Sequence, residues 1–132
     1  MSGETDLHTL LRSMTATLAD GVYVFATLEN REVPAGLSPR MLFQEAEGTT
    51  LILLKEEAEA CGLACEFPCR MITLDVHSSL EAVGFIARIA SELAKAGMGV
   101  NPVSGFFHDH LFVPAGREEE ALGILHRIAA GS

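Results

Sequence analysis

Basic residues are scarce in this chain: nine Lys and Arg stand against 18 Asp and Glu, a formal net charge of −9 over 132 residues. Such a charge repels phosphate backbones, and no Lys/Arg cluster offers a local exception. The composition therefore argues against nucleic acid and anionic membrane surfaces as partners. Long apolar runs are missing as well. Nothing approaches the ~20 residues a membrane span needs. The opening Met1-Ser2-Gly3-Glu4-Thr5-Asp6 has neither the basic start nor the apolar stretch of a signal peptide, so the expected compartment is the cytoplasm. Cysteines number three, Cys61, Cys65 and Cys69. An odd count at a spacing of four is no disulfide framework and no CxxC motif, and it reads as free thiols acting as small buried hydrophobes. No serine sits in a nucleophile elbow, and no GxGxxG or phosphate loop is present. The sequence thus names no catalytic residue and calls for no cofactor.

What is present is enough apolar sequence, 48% of residues, for a real core in one domain or two very small ones. Leu7, Leu10, Leu11, Met14 and Leu18 recur at helical spacing and predict an amphipathic helix over roughly 5–18, stopped by Asp20-Gly21. Residues 22–28 are β-branched and aromatic and read as a strand. A long loop follows over 29–39, rich in turn residues including Asn30, Pro34, Gly36 and Pro39. Residues 41–45 and 49–54 read as a hairpin, and 55–61 as a short helix ended by Gly62. In the second half, 71–77 is a strand. Ser78-Ser79-Leu80-Glu81 matches a capping box opening a helix that carries Val83, Ile86, Ile89, Ala90 and Leu93 on one face. A strand over 99–104, broken by Pro102, a returning strand over 110–113 and a helix over 117–130 with a Leu122, Leu125 and Ile128 stripe complete it. This β-α-β-β-α order is the α+β, ferredoxin-like arrangement without its final strand. The missing edge must be paired by the first half or by a second copy. A degenerate duplication is compatible with the first half, although no residue-level repeat is evident. The expected division is 1–68 and 69–132.

Three sets of residues could carry chemistry. His77, His108 and His110 contain a bare HxH and could supply three nitrogens to a divalent metal; the plainer reading places them at strand ends, satisfying backbone groups. Ser104, Asp109 and the adjacent histidines are the residue types of a triad, but residues so close along one segment rarely reach that geometry. The third is the turn Ser78, Ser79, Leu80, Glu81 and Ala82. Backbone N–H groups at a helix start can bind a carboxylate with no catalytic residue, and Asn101 and Ser104 on the next strand could line the same region.

The runs from His77 to Phe85, Leu93 to Gly97 and Val100 to Pro114, with Gly21 to Phe25 and Phe43 to Gly48 in the first half, resemble a bacterial family of small stand-alone ACT-domain proteins. The run Asn101 to Pro114 is its most specific piece. The resemblance implies two ACT-like βαββαβ units in tandem, homodimers, and a non-catalytic regulatory role in binding a small molecule, commonly an amino acid. Carried onto this chain, the ligand turn is Ser78 to Ala82 with Asn101 facing it. The acidic residue, proline and glycine usual in that turn are replaced here by His77-Ser78-Ser79-Leu80-Glu81. A ligand-free protein-interaction module is the alternative reading.

Overall fold

The computed structural model describes residues 3–29 and 32–131. Its elements in chain order are α1 (Leu7–Ser13), β1 (Ala16–Leu18), β2 (Tyr23–Leu28), β3 (Met41–Gln44), β4 (Thr49–Leu54), α2 (Lys55–Ala60), β5 (Cys65–Leu74), α3 (Phe85–Lys95), β6 (Asn101–Ser104), β7 (Asp109–Pro114) and α4 (Glu118–Ala130). Two compact units emerge, Gly21–Cys69 and Met1–Asp20 with Arg70–Ser132, and β5 passes from one to the other.

In the Gly21–Cys69 unit the strands run β3-β4-β2-β5, all antiparallel. Alternation puts Val24, Ala26, Leu28, Leu51 and Leu53 on one face, where they bury against Ala58 of α2, with Val33, Leu37 and Leu63 at the margin. The connection between β2 and β3 has neither helix nor strand among its described residues. Asn30, placed in that loop by the sequence reading, lies outside the described residues. β5 begins at Cys65, six residues before the strand expected at 71. Pro68 concealed this stretch, because proline reads as a strand breaker. Here it sits at a bulge: Tyr23 faces Cys69 while Phe25 faces Glu66, so β5 carries one extra residue. Phe67 absorbs it at φ 58°, with its ring edge-on to Phe25 at 5.9 Å. Of the cysteines, Cys61 is exposed and Cys65 half-buried. Only Cys69 is the buried hydrophobe expected of all three; its thiol donates to the Tyr23 carbonyl at 3.4 Å, and burial pushes its pKa up to about 12.

In the other unit the second half of β5 lies between β1 and β7, with β6 at the edge. Ala16, Thr17 and Leu18 pair antiparallel with Leu74, Thr73 and Ile72. The open edge anticipated from sequence is thus closed by the chain's own N-terminal region. This corrects the helix expected over 5–18. The helix starts where Asp6 accepts from the Thr9 amide at 2.9 Å and ends at Ser13, with Met14 already extended. Thr15 precedes the new strand and Thr17 is its central residue, and β-branched residues suit a ladder better than a helix. Leu18 kept helical spacing by coincidence. Leu10, Leu11 and Met14 join Ile72, Leu74, Phe85, Ile89, Leu93, Leu111, Val113, Leu125 and Ile128 in one core. On α4 the stripe shifts by one residue: Ala121 and Ile124 are buried with Leu125 and Ile128, while Leu122 is only partly covered.

The two units share one strand order. In each, a hairpin lies beside an entry strand and the entry strand beside an outer one: β3-β4-β2-β5 and β6-β7-β5-β1, the outer place being taken in the second unit by β1, which precedes the other three in the chain. Their hairpins match in detail. Gln44 faces Thr49 as Ser104 faces Asp109, and Glu45 N–H donates to Gly48 at 2.8 Å as Gly105 N–H donates to His108 at 2.9 Å. The duplication is legible in backbone pairing where side-chain identity has drifted.

Arg70 and Glu118 tie β5 to the start of α4 at 2.9 Å. The Glu118 carboxyl is held below the usual carboxylate range, first by its own backbone amide and then by the Gly116 amide and Arg70, against the opposing effect of burial. A depressed folded-state pKa adds stability above the unfolded value of 4.5, and this is lost as pH falls through the folded value. Glu118→Gln should therefore lower urea-unfolding stability by under about 1 kcal/mol at pH 7. The difference should shrink as pH falls below 4.5; a gap that stays constant as the carboxyl is protonated would refute this origin.

Candidate ligand site

The connection from β5 to α3 differs from its sequence reading. β5 ends at Leu74 and α3 starts at Phe85, so Ser78 to Glu81 form no capping box. Gly84 is the cap instead, at φ 92° with no side-chain hydrogen bond, a conformation glycine adopts without strain. Each serine of the expected box has another task. The Ser79 hydroxyl accepts from the Glu81 amide at 3.1 Å, and the Ala82 amide donates to the Ser79 carbonyl at 2.9 Å, a local turn that competes with helix. The Ser78 hydroxyl leaves the segment and donates to Asp109 at 2.9 Å.

These residues wall a cavity of about 190 Å³. Ser78, Ser79, Leu80 and Ala82 form one side, the start of α3 from Gly84 to Ala87 another, and Ser104 with Asp109 a third. Of the residues singled out from sequence, the structure brings together Ser78, Ser79, Leu80, Ala82 and Ser104. It leaves out Glu81, which is exposed, and Asn101, which faces Phe112. Asn101 lies three residues along β6 from Ser104, roughly 10 Å at strand rise.

Asp109 is the residue whose place in this site sequence reasoning missed, having weighed it only as a triad acid. It begins β7, is 6% exposed, and accepts from Ser78 on one oxygen and from Ser104 on the other. A carboxylate has about four acceptor sites, so two serine donors leave capacity for a further donor. Across the cavity, the first-turn amides of α3 lack intrahelical carbonyl partners and carry the positive end of the helix dipole. One acidic pole and one N–H-rich pole thus line one small cavity. The available signal was an acid two residues before the apolar run Leu111-Phe112-Val113, in a segment read for its histidines.

Those histidines are engaged separately. The His110 Nδ1 lies 2.9 Å from the Thr73 hydroxyl. The His77 ring packs 5.5 Å from that of Phe107, and the rings of His108 and His110 are 6.4 Å apart. Among the described residues no group of three or more His, Cys, Asp or Glu is placed to hold a metal ion. The Ser104 hydroxyl bonds Asp109 itself, not an imidazole, so the triad types do not form a nucleophile–base pair. One amide expected to be available at the turn is also taken: Ser79 N–H donates to the Glu4 carbonyl at 2.8 Å.

No described helix is long and apolar enough to cross a membrane. Residues 2–70 match one family model described as ACT domain, and residues 66–127 match a second of the same description; the overlap falls on β5. No curated protein matches the sequence. Among solved structures, a Vibrio cholerae protein of unknown function, titled a possible transport protein, is 40% identical over 93% of this chain and 95% of its own, with a TM-score of 0.83. An Agrobacterium tumefaciens protein is 19% identical over 88% and 89%, with a TM-score of 0.75. The ligand-free regulatory subunit of aspartate kinase from Thermus thermophilus shares the fold at 12% identity, over 86% and 95%, with a TM-score of 0.65. The shared strand order of the two units and these matches agree: the chain belongs to the ACT-domain family and carries two ACT domains in tandem.

Proposed function

We propose that this chain is a non-catalytic regulatory module that binds a small amino acid in the cavity between the Ser78–Gly84 connection, the start of α3 and Asp109. The observation that carries this reading is the pairing of poles. An α-amino acid presents an ammonium and a carboxylate a few ångströms apart. Asp109, steadied by Ser78 and Ser104, suits the ammonium, and the amides of Phe85, Ile86 and Ala87 suit the carboxylate. A cavity of about 190 Å³ holds the volume of roughly six waters, which suits a small metabolite and is too small for a nucleotide. Regulation would follow by population shift, the ligand stabilising the arrangement it prefers, with a coupling of ~1–3 kcal/mol. We read the assembly as a cytoplasmic homodimer through the family resemblance, and the acidic charge disfavours nucleic acid.

The test is a thermal-shift screen against the twenty amino acids, each beside its deaminated acid and its decarboxylated amine. One stereospecific rise in Tm that grows with concentration is expected, with both truncated analogues silent. A Tm that none of the twenty moves would refute the reading. It would favour a protein-interaction module, for which exposed Phe106 and Phe107 at the β6–β7 hairpin are the relevant feature.

A further inference from the structure

We infer that the Gly21–Cys69 unit holds a second ligand site, separate from the Ser78–Asp109 cavity, which takes a small protonated amine with an apolar body. A cavity of about 270 Å³ lies wholly within this unit, with Phe25, Thr27, Thr50 and Glu66 among its walls. Strand pairing sets those four. Phe25 faces Glu66 across β2 and β5, and Thr27 faces Thr50 across β2 and β4, so they share the face turned away from α2. Side chains opposed in this way stand about 5 Å apart. An ammonium between Glu66 and Phe25 would meet an ionised oxygen and an aromatic ring together. The Thr50 hydroxyl donates to Glu45, which brings a second carboxylate to the rim. Among the described residues, no Lys, Arg or His lines the cavity and no ion pair engages Glu66. The net charge of −9 draws small cations to such a surface. A carboxylate finds no cationic side chain and no helix start in these walls, so the zwitterion suited to the Asp109 cavity does not suit this one.

The fold does not require the geometry that shapes this wall. Phe67 follows Glu66 at φ 58°, a conformation that strains a bulky residue. Its ring meets Phe25 edge-on at 5.9 Å and so braces the ring that lines the cavity. In the other unit the matching outer strand pairs without a shift, Ala16, Thr17 and Leu18 against Leu74, Thr73 and Ile72. One unit thus makes this contact with regular strands, and the other keeps a strained bulge beside a cavity. Bulges recur next to functional sites because they re-aim a side chain, and strain of this kind clusters at ligand sites. The volume is that of roughly nine waters, which suits a short arylalkylamine.

The experiment titrates the isotope-labelled full chain with phenethylamine and follows its backbone amides by NMR. The amides of Phe25 to Thr27, Thr50 and Ala64 to Glu66 should move together and saturate, while those of Ser78 to Ala87 stay in place. Hydrocinnamate carries the same ring and the opposite charge, and it should move neither set. Glu66→Gln should bind phenethylamine about fivefold more weakly, the worth of one exposed charge pair. Its Tm should match the parent's, because Glu66 is exposed. Silence of the Phe25, Thr50 and Glu66 amides overturns the site. So do shifts that spread over the acidic surface without saturating, an equal response to hydrocinnamate, or undiminished affinity in Glu66→Gln. None of these outcomes bears on the amino-acid reading, which rests on other residues.

Discussion

Asp109→Asn is expected to remove about 1.5–3 kcal/mol of amino-acid affinity, roughly 10- to 150-fold, the worth of a charge-assisted hydrogen bond lost in a covered site. Folding should be nearly spared. Asn keeps the volume, and the Ser78 and Ser104 hydroxyls that now donate to the two oxygens can rotate, one still donating to the amide oxygen and the other accepting from the amide nitrogen. Calorimetric titration with the amino acid found by the screen separates the two effects. The parent should discriminate against the deaminated acid, and the variant should bind acid and amino acid with the same weak affinity. If Asp109→Asn binds the amino acid as the parent does, the ammonium pole has been misassigned.

The largest loss of stability is expected at Phe85. This side chain begins α3, is 3% exposed, and belongs to the same core as Leu10, Ile89, Leu93 and Leu111. Its truncation to alanine removes buried surface and leaves a cavity in surroundings that relax only in part, a cost of about 3–5 kcal/mol. Against a typical domain stability of about 5–15 kcal/mol, that approaches unfolding. Urea denaturation should show a lower midpoint with an unchanged slope. Phe106→Ala is the control: at 61% exposed, its ring should matter by under about 0.5 kcal/mol. Equal losses at both positions would mean that α3 is not anchored through Phe85. The prediction bears on the site because Phe85 also carries one of the amides facing Asp109, so core packing fixes where the cavity's positive end lies.

Alternation and helical spacing report which face of an element meets a core, and those periods can be read one segment at a time. Hence β2, the β3–β4 hairpin, β6, β7 and α4 were legible within a residue or two. Where local signals conflicted with a distant partner, the partner won. Ala16 to Leu18 carry a leucine at helical spacing, yet they form a strand because β5 offers an unpaired edge. Cys65 to Arg70 contain a proline, yet they form a strand because a bulge removes the need for its missing N–H.

The site divides along the same line. The amino-acid order alone determined an acidic chain without a phosphate loop or nucleophile elbow, and it pointed to the Ser78–Ala82 turn and Ser104, since these rest on composition and on residues close along the chain. Tertiary structure decided the rest. Ser78 was set to steady a carboxylate 31 positions away, Asp109 was placed opposite a helix that starts at Phe85, and Glu4 was laid on Ser79. Each of these depends on a hydrogen bond between segments distant in sequence. Such a bond leaves no periodic trace in either segment, because its energy exists only once the core has brought the two together.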